Sequence, residues 1–195
     1  MVGRPRQFEH DKALGAAMGV FWVKGYEAAS VQDLLDAMGI NRGSMYDSFG
    51  DKHDLFIKAI EHYGRTIMAE VLDTLEADGS PLGNIRRLMH RWASTGTDRK
   101  QCRGCLLGNT VVELAPRDAQ VARLAGSMLG KLEKSLQRAL QRAVAAGELA
   151  RNADTRALAR FLTSTLQGIM VMAKAGAPPA ALRDIAGVSL VALEQ

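Results

Sequence analysis

The sequence predicts an all-α protein. Aromatic residues make up only 5% of the 195 residues, and no stretch alternates Val, Ile, Thr or Tyr with polar residues as a half-buried strand does. Apolar residues instead recur at three- and four-residue spacing between glycines, capping residues and prolines. Hydrophobic residues at 47% and charged ones at 24% exclude a disordered chain, and the length suffices for a sizeable core in one or two domains.

A first helix is expected over about 11–24, where Leu14, Met18, Phe21 and Trp22 share a face before Gly25 closes it. The preceding Gly3-Arg4-Pro5-Arg6 reads either as a flexible basic arm that lays arginines in a minor groove or as an ordinary terminus. Ser30 caps a short second helix carrying Val31, Leu34, Leu35 and Met38, and Gly39 ends it. Asn41 caps a third over Arg42 to Phe49, closed by Gly50. Asp51 opens a long fourth helix on which Leu55, Ile60, Tyr63, Ile67, Val71 and Leu75 keep helical spacing to about Ala77. Gly79, Ser80 and Pro81 break the chain, and helices follow at about 81–95, 104–115, 117–146, 155–175 and 179–194.

The net charge of +4 suggests nucleic acid as a partner, yet residues 1–58 hold 7 basic and 8 acidic side chains while 59–195 hold 18 and 13. Arg86, Arg87, Arg91, Arg99, Lys100 and Arg103 concentrate the excess outside the N-terminal third. DNA binding there has to rest on where charges stand. The second and third helices, joined at Gly39 with Ile40 as the apolar plug of the turn, form a helix-turn-helix pattern. The start of the last helix then enters the major groove, so Arg42 reaches guanine or phosphate, Ser44 reaches base or backbone, and Gly43 permits close approach. Tyr46 offers a hydroxyl to a phosphate, and Lys52 and Ser30 stand at helix N-termini that favour anions. With Arg4 and Arg6 these are the candidate DNA contacts.

The segment GINRGSMYDSFGDKHDLF, Gly39 to Phe56, resembles the TetR family of transcriptional regulators: turn glycine, apolar residue, cap, short helix with a tyrosine, phenylalanine, then Lys and an apolar pair. Residues 8–56 align with that family's N-terminal domain. Leu35 stands where the family usually has a small residue, and Asp47 and Ser48 where His or Tyr is common, so base preference does not carry over. The resemblance implies a helix-turn-helix domain over 1–58 and a helical ligand-binding and dimerisation domain over 59–195. It also implies a homodimer on a palindromic double-stranded operator, acting as a repressor that a small molecule or electrophile releases. Phe161, Thr165, Gly168, Met172, Leu182, Ile185, Ser189 and Leu193 lie on the broad apolar faces of the last two helices and are the expected dimer contacts.

Cys102 and Cys105 are too few for a disulfide scaffold and lack the second half of a zinc site; neither metal nor cofactor is expected. The run GCLLGN with Glu113 resembles the ligand-domain signature of TetR relatives that respond to electrophiles and oxidants, which makes Cys105 the sensor candidate. A helix N-terminus beside Arg103 favours a thiolate. Lys174, on an otherwise apolar helix, either faces Cys105 or extends to solvent; the cysteines are otherwise small buried residues. Trp92, Asn109 and Glu113, with His90 and Met89, are further candidates for a pocket lining. A small thiol oxidoreductase using Cys102 and Cys105 is the alternative from another class, and a helical interaction module the third. No signal peptide is apparent, and Leu166 to Ala177 is too short and too interrupted to span a bilayer, so a cytoplasmic location is expected.

Overall fold

A computed structural model describes residues 4–95 and 103–193, with side chains over 10–94 and 103–193. Its regular elements are α1 (Arg4–Lys24), α2 (Val31–Met38), α3 (Arg42–Phe49), α4 (Lys52–Arg65), α5 (Ile67–Glu76), α6 (Pro81–Thr95), α7 (Leu106–Glu113), α8 (Ala119–Ala145), α9 (Thr155–Lys174) and α10 (Pro179–Val191). No strand occurs among the described residues, so the all-α expectation holds.

Two elements differ from expectation. Helix α1 begins at Arg4, so Arg4 and Arg6 belong to a helix where a flexible arm was expected. Pro5 is compatible with this because a first-turn residue needs no intrahelical donor. The long fourth helix is broken at Thr66, which has φ −109° and ψ −81°. The Thr66 hydroxyl donates to the His62 carbonyl at 2.8 Å, a back-bond that competes with the regular ladder and bends helices.

The chain forms two compact units. The first runs to Met68 and takes in Asn109–Ala125; the second comprises Ala69–Gly108 and the chain from Gly126 onward. The expected boundary at 58/59 falls short of this division, because α4 packs along its length on α1 and because the 109–125 segment returns to the N-terminal helices. In the first unit α1 packs on α2 and α4 around Leu14, Phe21, Leu34, Met45, Leu55, Phe56 and Ile60, all buried. Phe21 meets Phe56 edge-on at 4.9 Å, and Trp22 meets Tyr63 at 5.2 Å.

In the second unit α10 packs on α6 and α9, and α6 on α9, over a core that includes Ile85, Leu88, Leu162, Leu166 and Ile169. This core corrects part of the expected dimer surface. Leu182, Ser189 and Leu193 are buried within their own subunit, while Thr165 and Ile185 are half-buried and Gly168 exposed. Phe161 and Met172 stay exposed at 43% and 44%, joined by Val171 on α9 and by Val188 (73%) and Val191 on α10. Both faces of these helices are apolar, so spacing alone could not tell the inward one from the outward one.

Candidate functional site

Helix α3 is defined at both ends by local chemistry. The Asn41 side chain accepts from the Ser44 amide at 2.8 Å, satisfying one of the free donors of the first turn. Gly50 ends the helix with φ +83°, a value that favours glycine. At the turn before it, Gly39 has φ +67° and its amide donates to the Leu35 carbonyl. Met45 and Phe49, four residues apart, are buried and fix the rotation of α3. Arg42, Gly43, Ser44, Tyr46, Asp47 and Ser48 are consequently all exposed on one short helix. The Lys58 ammonium donates to the Phe49 carbonyl at 2.7 Å, pinning the end of α3 to α4; sequence reading missed this lysine.

The other two DNA-contact candidates are partly occupied. The Ser30 hydroxyl donates to Asp33 Oδ2 at 2.8 Å and accepts from the Asp33 amide, closing a capping box on α2. The Lys52 ammonium lies 4.5 Å from the centre of the Tyr26 ring and 3.4 Å from the Glu27 carbonyl, a cation–π placement that holds it at the rim of the unit. The side chains of Arg4 and Arg6 lie outside the described residues.

The ion pair between Lys24 and Asp33, 2.6 Å apart, holds the Asp33 carboxyl down at about 2, with help from the Ser30 amide and hydroxyl. A depressed carboxyl stabilises the fold above its ordinary value of 3.8, and that stability disappears as pH falls through about 2. Lys24→Met is therefore expected to return the Asp33 titration, followed by carboxyl NMR, toward 3.8. The stability difference between the two proteins then closes in the same acid range.

A second constellation joins the segment after α7 to the same unit. Both Glu113 carboxylate oxygens accept backbone bonds, from the Tyr26 amide at 3.0 Å and the Glu27 amide at 2.9 Å. Gly25, with φ +81°, makes this approach possible: a Cβ there would fall 2.8 Å from Glu113 Oε2. Asp118 accepts from the Gln120 and Val121 amides and lies 2.7 Å from His53 Nε2 at the start of α4. The Val121 amide first, and His53 next, hold the Asp118 carboxyl below its ordinary value. Arg117 pairs with Glu27 at 3.2 Å. Glu113, expected in a pocket, is instead a clamp on the turn after α1, and Tyr26, His53 and Asp118 are functional partners that the sequence did not reveal.

Residues 13–59 match the pattern of the bacterial regulatory proteins of the tetR family, and residues 81–187 match the tetracyclin repressor-like C-terminal domain. The chain belongs to the TetR family. A relative from Bacillus subtilis, an uncharacterized HTH-type transcriptional regulator called YezE, is 35% identical over 99% of this chain and 100% of its own length. The HTH-type transcriptional repressor ComR of Escherichia coli is 31% identical over 96% of this chain and 90% of its own. Among solved structures, a cysteine-substituted form of the TetR family regulator CifR, complexed with 26-bp double-strand operator DNA, is 32% identical. It covers 98% of this chain and 100% of that one, with a TM-score of 0.86.

Within this TetR-family chain the sensor candidates separate by depth. Cys105, immediately before α7, is buried at 4% exposure, and Cys102 lies outside the described residues. Trp92 and Met89 are buried, Asn109 is half-buried, and His90 and Arg103 are exposed. Lys174 is exposed at the end of α9, where it lines a shallow depression with Ala173, Ala175 and Gly176. That is the solvent-directed alternative of the two expected for it.

Proposed function

We propose that this TetR-family regulator represses transcription as a homodimer, held on a palindromic operator by α3 of each protomer and released when Cys105 is covalently modified. The exposed row Arg42, Gly43, Ser44 and Tyr46 on a doubly capped helix carries the DNA-binding half of this reading. The likeness to CifR, solved with operator DNA in a cysteine-substituted form, supports both halves. Dimerisation falls to the exposed apolar residues of α9 and α10, because an unpartnered row of Phe, Met and Val costs free energy in water.

Release follows from the placement of Cys105. It is buried, so a group attached to its sulfur overpacks its surroundings and forces the start of α7 to move. Helix α7 is one continuous element about 12 Å long, and its last residue is Glu113, which holds the Tyr26 and Glu27 amides. A shift at one end pulls on the clamp at the other. The turn after α1 and Lys52 are displaced with it, and operator affinity falls.

Operator binding by a fragment of the upstream region, followed by fluorescence anisotropy with and without N-ethylmaleimide, tests this. The reagent is expected to release the unsubstituted protein and leave Cys105→Ser bound; equal release of both overturns the sensor assignment. Steady-state turnover of a disulfide substrate would instead favour a thiol oxidoreductase using Cys102 and Cys105. No catalytic step, metal or cofactor belongs to the regulator reading. Among the described residues no helix is long and apolar enough to cross a membrane, and the proposed location is the cytoplasm.

The dimer surface has its own test. Introducing charge by Phe161→Glu together with Val188→Lys leaves the subunit core intact, since both side chains are exposed. Sedimentation is expected to show a monomer at micromolar concentration, with operator affinity lowered by more than about tenfold once the two half-sites no longer bind as one unit.

A further inference from the structure

Next to Cys105 the structure buries a hydrogen-bond donor that has nothing to bond. The Gln167 amide nitrogen, on α9, is fully buried and has no partner. Gln167 Oε1 and Cys105 Cβ lie 2.9 and 3.6 Å from one point, the position a Cβ on Gly108 would occupy. Glycine at 108 is therefore what lets the Gln167 amide head pack against the same face of α7 as the thiol, one turn along. An unsatisfied buried amide N–H costs about 1–3 kcal/mol, and such a group next to a nucleophile is suited to an acceptor that arrives with the reacting molecule. Leu106 and Leu107 beside the thiol are buried and apolar, which disfavours a charged reagent.

Resting on the reading of Cys105 as the modified residue, we infer that Gln167 selects the reagent: its amide N–H receives the carbonyl oxygen of a small, uncharged α,β-unsaturated aldehyde or ketone. The Cys105 thiol gives its proton to water and its sulfur adds to the β-carbon, forming one S–C bond. The electron pair of the C=C bond shifts to the carbonyl oxygen, where the Gln167 N–H stabilises the developing negative charge. Water then protonates the α-carbon, and the product is a thioether with the carbonyl restored. Nothing is oxidised or reduced, and no further reactant is consumed. Gln167 is the specificity-determining residue in this step, and Gly108 positions it.

The test compares two reagents of similar size on the full-length dimer, methyl vinyl ketone and allyl iodide, the second lacking an oxygen for Gln167 to hold. Intact-mass spectrometry gives the rate of Cys105 modification by each. Gln167→Met, close in volume, is expected to slow the ketone about tenfold, the factor carried by ~1.4 kcal/mol, and to leave allyl iodide within about twofold. Gly108→Ala is expected to reproduce the selective loss by displacing the amide. Equal slowing of both reagents, or of neither, overturns the assignment; the iodide rate also reports whether the variant keeps its fold. Operator release is measured separately on each modified protein. Selective ketone loss without any release would preserve the role of Gln167 and reject Cys105 as the sensor, whereas release with no selectivity would do the reverse.

Discussion

Replacing Arg42 with Ala is expected to lower operator affinity by about 2–6 kcal/mol for the dimer, because each half-site loses an arginine contact of ~1–3 kcal/mol. The size of the effect follows from how little positive charge the DNA-binding segment has. Residues 1–58 carry a net −1, and the Lys52 ammonium is already held over Tyr26, so binding has no broad basic surface to fall back on. Arg42 is exposed at the first position of α3, and truncating it should change folding stability by less than about 0.5 kcal/mol. Anisotropy titrations at two salt concentrations, with thermal melts alongside, check both statements. Tyr46→Phe removes a single hydroxyl per half-site and is expected to show a smaller loss of the same kind, about 0.5–1.5 kcal/mol for each hydrogen bond. Unchanged affinity in Arg42→Ala with an unchanged melt would mean that α3 does not face the DNA.

The ease of predicting α3 and the difficulty of predicting its surroundings have the same physical origin. Asn41, Gly39 and Gly50 act on amides and dihedral angles within three or four residues, so the sequence displays both the helix and its exposed row. Thr66 breaks the expected long helix without a glycine or proline, and a threonine inside an apolar pattern does not announce a back-bond. On α10, Leu182 and Ser189 follow the same spacing as Val188 once both faces are apolar; only packing against α6 and α9 decides which side is core. Glu113 is the strongest case. It was legible as a polar group on a helix carrying the sensor motif, but the Tyr26 and Glu27 amides it serves are 87 and 86 residues away in the chain. Partners that distant are set by the fold and have no local signature.

Glu113 also carries the second large expectation, a variant that stays folded but loses its response. Two backbone N–H groups point at one carboxylate, and each needs an acceptor. Gln supplies one acceptor and turns an NH₂ toward the other amide, so Glu113→Gln is expected to be almost as damaging as Glu113→Ala. Leaving one or two donors unpaired at this partly buried turn costs ~1–3 kcal/mol. For a chain of this size that lowers the melting temperature by about 2–4 °C per kcal/mol. Gly25→Ala should mimic the loss from the other side, since a Cβ would meet Glu113 Oε2 at 2.8 Å and the residue would have to keep φ +81°. The functional consequence separates a clamp from a mere stabilising contact. With the clamp gone, displacement of α7 no longer reaches the turn after α1, so modification of Cys105 should change operator affinity by less than about twofold in Glu113→Ala, where the unsubstituted protein shifts by tenfold or more, a coupling of ~1.4 kcal/mol. Retention of the full shift in this variant would place the coupling elsewhere in the protein.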